Sequence, residues 1–63
     1  MTKYYYMPNS LLLNAYNASA EYDPALCEEI CIRVGMHEDF YNADGDNIDR
    51  VMERAVEQLE TSC

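Results

Sequence analysis

Sixty-three residues suffice for one domain, and a chain this short hides only about 60% of the surface it exposes when unfolded, so its core must be small. That length excludes a TIM barrel, a doubly wound nucleotide-binding sheet or a kinase lobe pair. Twelve Asp and Glu against four Lys and Arg leave a net charge of -8, which excludes direct binding of nucleic acid or an anionic membrane through clustered cations. With 49% hydrophobic and 25% charged residues the composition is that of a folded chain. Residues 1–63 read as a single small acidic domain.

The first element is a candidate strand, Lys3-Tyr4-Tyr5-Tyr6-Met7. Pro8-Asn9-Ser10 has turn composition, and Leu11 to Tyr16 can return as a second strand. The competing reading is a helix that starts after Asn9 or Ser10 and runs through Ala20, because a short apolar run does not separate the two. Asp23-Pro24 then announces a helix, with an acceptor at the N-cap and proline at the first helical position. Leu26, Cys27, Ile30, Cys31 and Val34 form its apolar face, and Gly35 ends it. Met36 to Ala43 connects onward, as one short turn whose Phe40 and Tyr41 rings cover the core. The last helix spans about residues 47–61, with Asp46 or Asn47 as N-cap and an apolar face of Ile48, Val51, Met52, Ala55, Val56 and Leu59. The fold class expected is α+β, an N-terminal β-hairpin followed by two amphipathic helices, with an all-α three-helix bundle as the alternative.

Cys27 and Cys31 fall four apart on a helix, where Cβ atoms stand about 5–6 Å apart, too far for a disulfide. Free thiols are expected, Cys63 included. The amino terminus lacks the pattern of a signal peptide and no window reaches the roughly 18 apolar residues of a membrane span, so a cytoplasmic location is expected. The acidic turn around Asp44-Gly45-Asp46 fails the register of an EF-hand loop at both ends, with Phe40 and Val51 where ligands belong. Cys27, Cys31 and His37, even with Cys63, make a poorer zinc site than a packed core. His37-Glu38-Asp39 is adjacent only in sequence and lacks a nucleophile, so the chain is expected to be no enzyme and to need no cofactor or metal.

What remains is the charge. Asp46, Asp49, Glu53, Glu57 and Glu60 follow at three- or four-residue steps, which makes a ridge of carboxylates about 5–6 Å apart. Arg50 is placed to pair with Asp46 and Glu53, and Arg54 flanks the same ridge. Tyr4 and Tyr6 add rigid amphipathic contact area of the kind enriched at interfaces. In size, charge and this ridge with its tyrosines, the chain resembles the small acidic inhibitor proteins of bacteriophages and mobile elements, the anti-CRISPR proteins and other DNA mimics among them. The resemblance implies a non-enzymatic blocker whose partner is a protein with a basic nucleic-acid groove, such as a CRISPR effector complex, in the host cell cytosol. The alternative is a small interaction module or homodimer joined through its apolar helix faces. Asp46, Asp49, Glu53, Glu57, Glu60, Tyr4 and Tyr6 are the partner-binding residues expected.

Overall fold

The computed structural model describes residues 2–62, without the side chain of Ser62. Met1 and Cys63, with the expectation of a free thiol at the chain end, lie outside the described residues. Four helices follow in order, α1 (Asn9–Ala18), α2 (Pro24–Arg33), α3 (His37–Asn42) and α4 (Ile48–Ser62). Helices α2 and α4 each touch the other three, whereas α1 and α3 do not touch each other. No helix among the described residues is long and apolar enough to cross a membrane.

The expected N-terminal β-hairpin does not form. The described residues contain no strand, and the all-helical alternative is the architecture found, with four helices instead of three. Two physical causes decide this. Leu12, Ala15 and Tyr16 turn inward at helical steps, with Leu12 at 0% exposure and Leu11 at 51%. A strand would instead put Leu11 and Leu13 on one face and Leu12 on the other. Helix α1 starts at Pro8, whose carbonyl accepts from the Leu12 N–H at 3.0 Å, a position where the missing proline N–H costs nothing.

The second cause lies in residues 3–7, which coil into turns closed by the Tyr5 N–H on the Thr2 carbonyl (3.2 Å) and the Met7 N–H on the Tyr4 carbonyl (3.0 Å). A strand would offer the Tyr4 and Tyr5 carbonyls to a neighbouring strand; here both accept from Arg33 Nη2 at 3.2 Å. The same guanidinium donates from Nη1 to Asn9 Oδ1 and from Nε to Glu29 Oε2, each at 2.8 Å. The Thr2 hydroxyl completes the set by donating to Glu29 Oε1 at 2.6 Å. Glu29 is only 6% exposed. Burial by itself would raise its pKa, but the hydrogen bonds from Thr2 and Arg33 outweigh that and hold the carboxyl below its ordinary value.

Helix α2 begins as the sequence leads one to expect. Asp23 Oδ1 accepts from the Ala25 and Leu26 N–H groups at 3.1 and 3.4 Å, and Pro24 opens the helix. Asp23 Oδ2 also receives the Tyr4 hydroxyl at 2.5 Å, which lowers the pKa of Asp23 and raises that of Tyr4. At the other end Gly35 adopts a φ of 74°. The Met36 N–H reaches the Cys31 carbonyl at 2.8 Å and the Gly35 N–H the Ile32 carbonyl at 3.3 Å, the paired bonds of a Schellman ending. Residues 36–43, expected as a connection with one turn, hold the six-residue α3, which half-buries Phe40 and leaves Tyr41 exposed.

Before α4 the side-chain acceptor is Asp44, whose Oδ1 takes the Asp46 and Asn47 N–H groups at 3.3 and 3.2 Å. Neither Asp46 nor Asn47 supplies that acceptor, although the Asn47 carbonyl does receive the Val51 N–H at 3.1 Å. The difference arises because the turn through Gly45 folds the backbone back over Asp44, the first acid in the run. Met52, Ala55 and Leu59 of α4 are buried, and Ile48, Val51 and Val56 pack beside them. The largest fully buried side chains are Leu12, Ile30, Leu59 and Cys31. Cys27 and Cys31 are free and buried, and burial pushes both thiols up to about 11. Cys31 Sγ lies 3.6 Å from Met52 Sδ, so these thiols are packing groups at neutral pH.

Arg33→Ala leaves Glu29 buried without its cation and should cost about 3 kcal/mol in urea unfolding, against a total of roughly 3–9 kcal/mol for a chain of this size. Arg33→Lys should recover less than half of that, since one ammonium cannot serve four acceptors in different directions. A loss below about 1 kcal/mol for Arg33→Ala would show the network to be ornamental.

For pH, the signs differ between the groups. Glu29 and Asp23 have folded pKa values below 4.5 and 3.8, so their contribution is complete above those values and drains away as pH falls through the lower folded ones. Tyr4, raised above 10.0, contributes fully below pH 10.0 and loses its contribution as pH rises through the raised value. Tyr4→Phe should therefore show a smaller alkaline loss of stability than the wild type, and equal alkaline losses would contradict the Tyr4–Asp23 bond. Replacing Cys27 or Cys31 by Ala should cost about 1 kcal/mol each through lost apolar volume, measurable by the same titration.

Candidate functional site

One side of the molecule carries a continuous trough where α1, the 19–23 segment and α4 meet. Part of it is a cavity of about 400 Å³ walled by Tyr16, Tyr22 and Asp49, with the buried Leu26, Cys27 and Met52 at its floor. Tyr16 and Asp49 are shared with a depression that runs along α4 past Glu53, Val56, Glu57 and Glu60. Tyr22, Ile48 and Asp49 are shared with another that ends at Asp44 and Gly45. Asp49 borders all three.

The charge along this trough is of one sign. Glu21 and Asp23 edge the cavity, Asp44 the turn, and Asp49, Glu53, Glu57 and Glu60 the helix. Among the described residues no Lys or Arg lines any of the three depressions. Arg50 and Arg54 border two further depressions, with Met36 and Asp39 or with Glu57, Gln58 and Thr61, so Glu57 lies between the trough and Arg54. The helical repeat explains the separation. Each residue advances about 100° around the axis, so the step from Asp49 to Arg50, or from Glu53 to Arg54, moves the side chain off the acidic stripe. Helix α4 therefore has an apolar stripe in the core, an acidic stripe on the trough and a basic stripe beyond it.

Asp49, Glu53, Glu57 and Glu60 are thus brought together as the sequence suggests, all exposed. Asp46 is exposed in the turn before α4 and lines none of the trough. The expected pairs of Arg50 with Asp46 and Glu53 do not form. Among the described residues the ion pair is Arg33 with Glu29, because exposed Arg side chains gain little from a surface partner in water. Tyr4 and Tyr6 sit on the N-terminal turns and not on a strand, outside the trough. The Tyr4 hydroxyl is held by Asp23 and its ring lies 5.4 Å from Lys3 Nζ. Tyr6 is 73% exposed and meets Tyr5 edge to face at 6.2 Å.

Tyr16 and Tyr22 are the trough residues that the sequence does not single out. On a strand over 11–16 Tyr16 would have no fixed relation to α4; on a helix it shares the face of Leu12, and that face borders α4. Tyr22 directly precedes the Asp23-Pro24 cap, which leaves its ring beside the start of α2. Desolvation raises the pKa of both phenols, with a further push on Tyr16 from nearby Cys27 and Asp49. Both hydroxyls therefore stay protonated and uncharged at neutral pH.

Reactive groups do not converge here. Cys27 is a protonated thiol at the cavity floor, and His37 lies on α3 against Tyr41 with ring centres 4.4 Å apart. Among the described residues no three His, Cys, Asp or Glu side chains come together as metal ligands. What the arrangement can do is attract and hold cationic groups along a rigid helix. No protein-family model, curated protein or solved structure matches the chain.

Proposed function

We propose that this protein is a non-enzymatic inhibitor that binds the basic, nucleic-acid-binding groove of a protein or protein complex and blocks it. The observation that carries this reading is the trough, bordered by carboxylates from three segments and, among the described residues, by no cation. Carboxylates on α4 repeat at a spacing of about 5–6 Å, comparable with the spacing of charges that a basic groove meets on a phosphate backbone. Like charges so close repel one another, and a partner's Lys and Arg side chains relieve that repulsion on binding. A CRISPR effector is one partner of this chemistry, in keeping with the resemblance to small acidic phage inhibitors.

The interaction-module reading has less support. The apolar faces of α2 and α4 that it needs are used inside the chain, where Leu26, Ile30, Met52, Ala55 and Leu59 are buried.

The test uses the charge stripe itself. Glu53→Lys with Glu57→Lys should leave folding nearly unchanged, since exposed helix positions usually shift stability within about 0.5 kcal/mol. Association with proteins captured from a bacterial lysate should slow by about 10-fold or more. Wild-type capture should weaken between low and physiological salt and should be displaced by added duplex DNA. Capture that survives charge reversal, salt and DNA alike would overturn the proposal.

A further inference from the structure

We propose that the cavity between Tyr16, Tyr22 and Asp49 receives an arginine side chain of the basic partner. This rests on the reading that the trough meets a basic protein surface, and it names the group that anchors there.

The cavity is where both tyrosines of the trough meet, Tyr16 on one side and Tyr22 on the other, above Leu26, Cys27 and Met52. Leu26, Cys27 and Met52 border it while remaining only 3% exposed each. An occupant thus lies between the two tyrosine rings, over the outer edges of these packed side chains, with the carboxylates of Asp49 and Glu21 at the rim. Those two carboxylates are available, since neither has an ion-pair partner among the described residues. Asp23 is already committed to the Ala25 and Leu26 N–H groups and the Tyr4 hydroxyl.

Tyr22 adds an independent pointer. Tyr22 is 63% exposed, and its hydroxyl makes no hydrogen bond among the described residues, so folding gives it little to do. An exposed aromatic ring over a cavity edged with carboxylates is a surface on which a cation can lie.

Among cations, arginine fits this set best. Its methylene stem can lie on the apolar floor, its planar guanidinium can stack on a tyrosine ring, and its fork can meet Asp49 with two N–H groups. Lysine offers a compact, strongly hydrated ammonium that gains less from stacking. A phosphate or a nucleotide is repelled by the acidic rim.

Hexa-arginine and hexa-lysine peptides, equal in side-chain charge, separate the outcomes in a titration followed by amide NMR shifts and calorimetry at fixed salt. Hexa-arginine should bind roughly tenfold more tightly, with the largest shifts at residues 16, 22 and 49. Tyr22→Leu should erase the preference, and Tyr22→Phe should keep it, since the ring and not the hydroxyl is used. Asp49→Asn should weaken hexa-arginine more than hexa-lysine. Equal affinities in the wild type, or a preference untouched by Tyr22→Leu, would overturn the arginine pocket while leaving the basic-partner reading in place. Failure of both peptides to bind at low salt would overturn both.

Discussion

The fold depends on the guanidinium of Arg33. It stands at the end of α2 and donates to four acceptors: Glu29 on its own helix, Asn9 at the start of α1, and the carbonyls of Tyr4 and Tyr5 in the N-terminal turns. The contacts to Asn9, Tyr4 and Tyr5 span 24 to 29 residues of sequence. By consuming the two carbonyls they deny residues 3–7 the pairing of a strand. With Thr2 held on Glu29, the chain is delivered to Pro8 in the direction that α1 must take. Helix α1 then closes over α2 and α4 and sets Tyr16 beside Asp49. Without that closure the acidic stripe of α4 would be a bare helix face and not the wall of a trough.

Such a chain has little stability to give away. A domain of this length is held by roughly 0.05–0.15 kcal/mol per residue, and its fully buried large side chains are few. Carboxylates ranged along one stripe of α4 work against that margin, because neighbours repel and Arg50 and Arg54, which flank the stripe, form no ion pair with it among the described residues. The sequence could have interleaved the signs, as many solvent-facing helices do. Segregating them costs stability and creates a field, and a field is useful when another molecule has to be drawn in. The same logic explains why charge alone would be insufficient for holding a partner. Exposed ion pairs are individually weak in water, so affinity in the proposed complex needs desolvated contact, for which the tyrosine walls of the cavity are the candidate.

Much of this was legible in the residues. Helix α2 was marked by Asp23-Pro24 and Gly35, and α4 by an apolar repeat long enough to exclude a strand. Both signals are local, and the backbone obeys them. The amino-terminal third was not legible, since three consecutive leucines satisfy either period and Tyr4-Tyr5-Tyr6 carries strand composition. What settles the matter is Arg33, too far along the chain for any window to include. Glu29 shows the same limit, as a carboxylate on the inner side of α2 looks like an error until Thr2 and Arg33 are seen to satisfy it. The acidic ridge was half of the candidate site. Its aromatic half, Tyr16 and Tyr22, stayed hidden because it requires α1 to be a helix, and the Arg50 pairs failed because spacing permits contacts that solvent then outcompetes.

The measurement that bears most directly on this account is solution NMR of residues 3–18 together with the Arg33 Nε proton. The account predicts helical carbon shifts over 9–18, turn-like shifts over 3–7, and an Arg33 Nε–H that exchanges slowly and shows contacts to Glu29 and the Tyr4–Tyr5 backbone. Strand shifts over 3–7 with cross-strand contacts to 11–16, and an Arg33 side chain in free exchange with water, would contradict it.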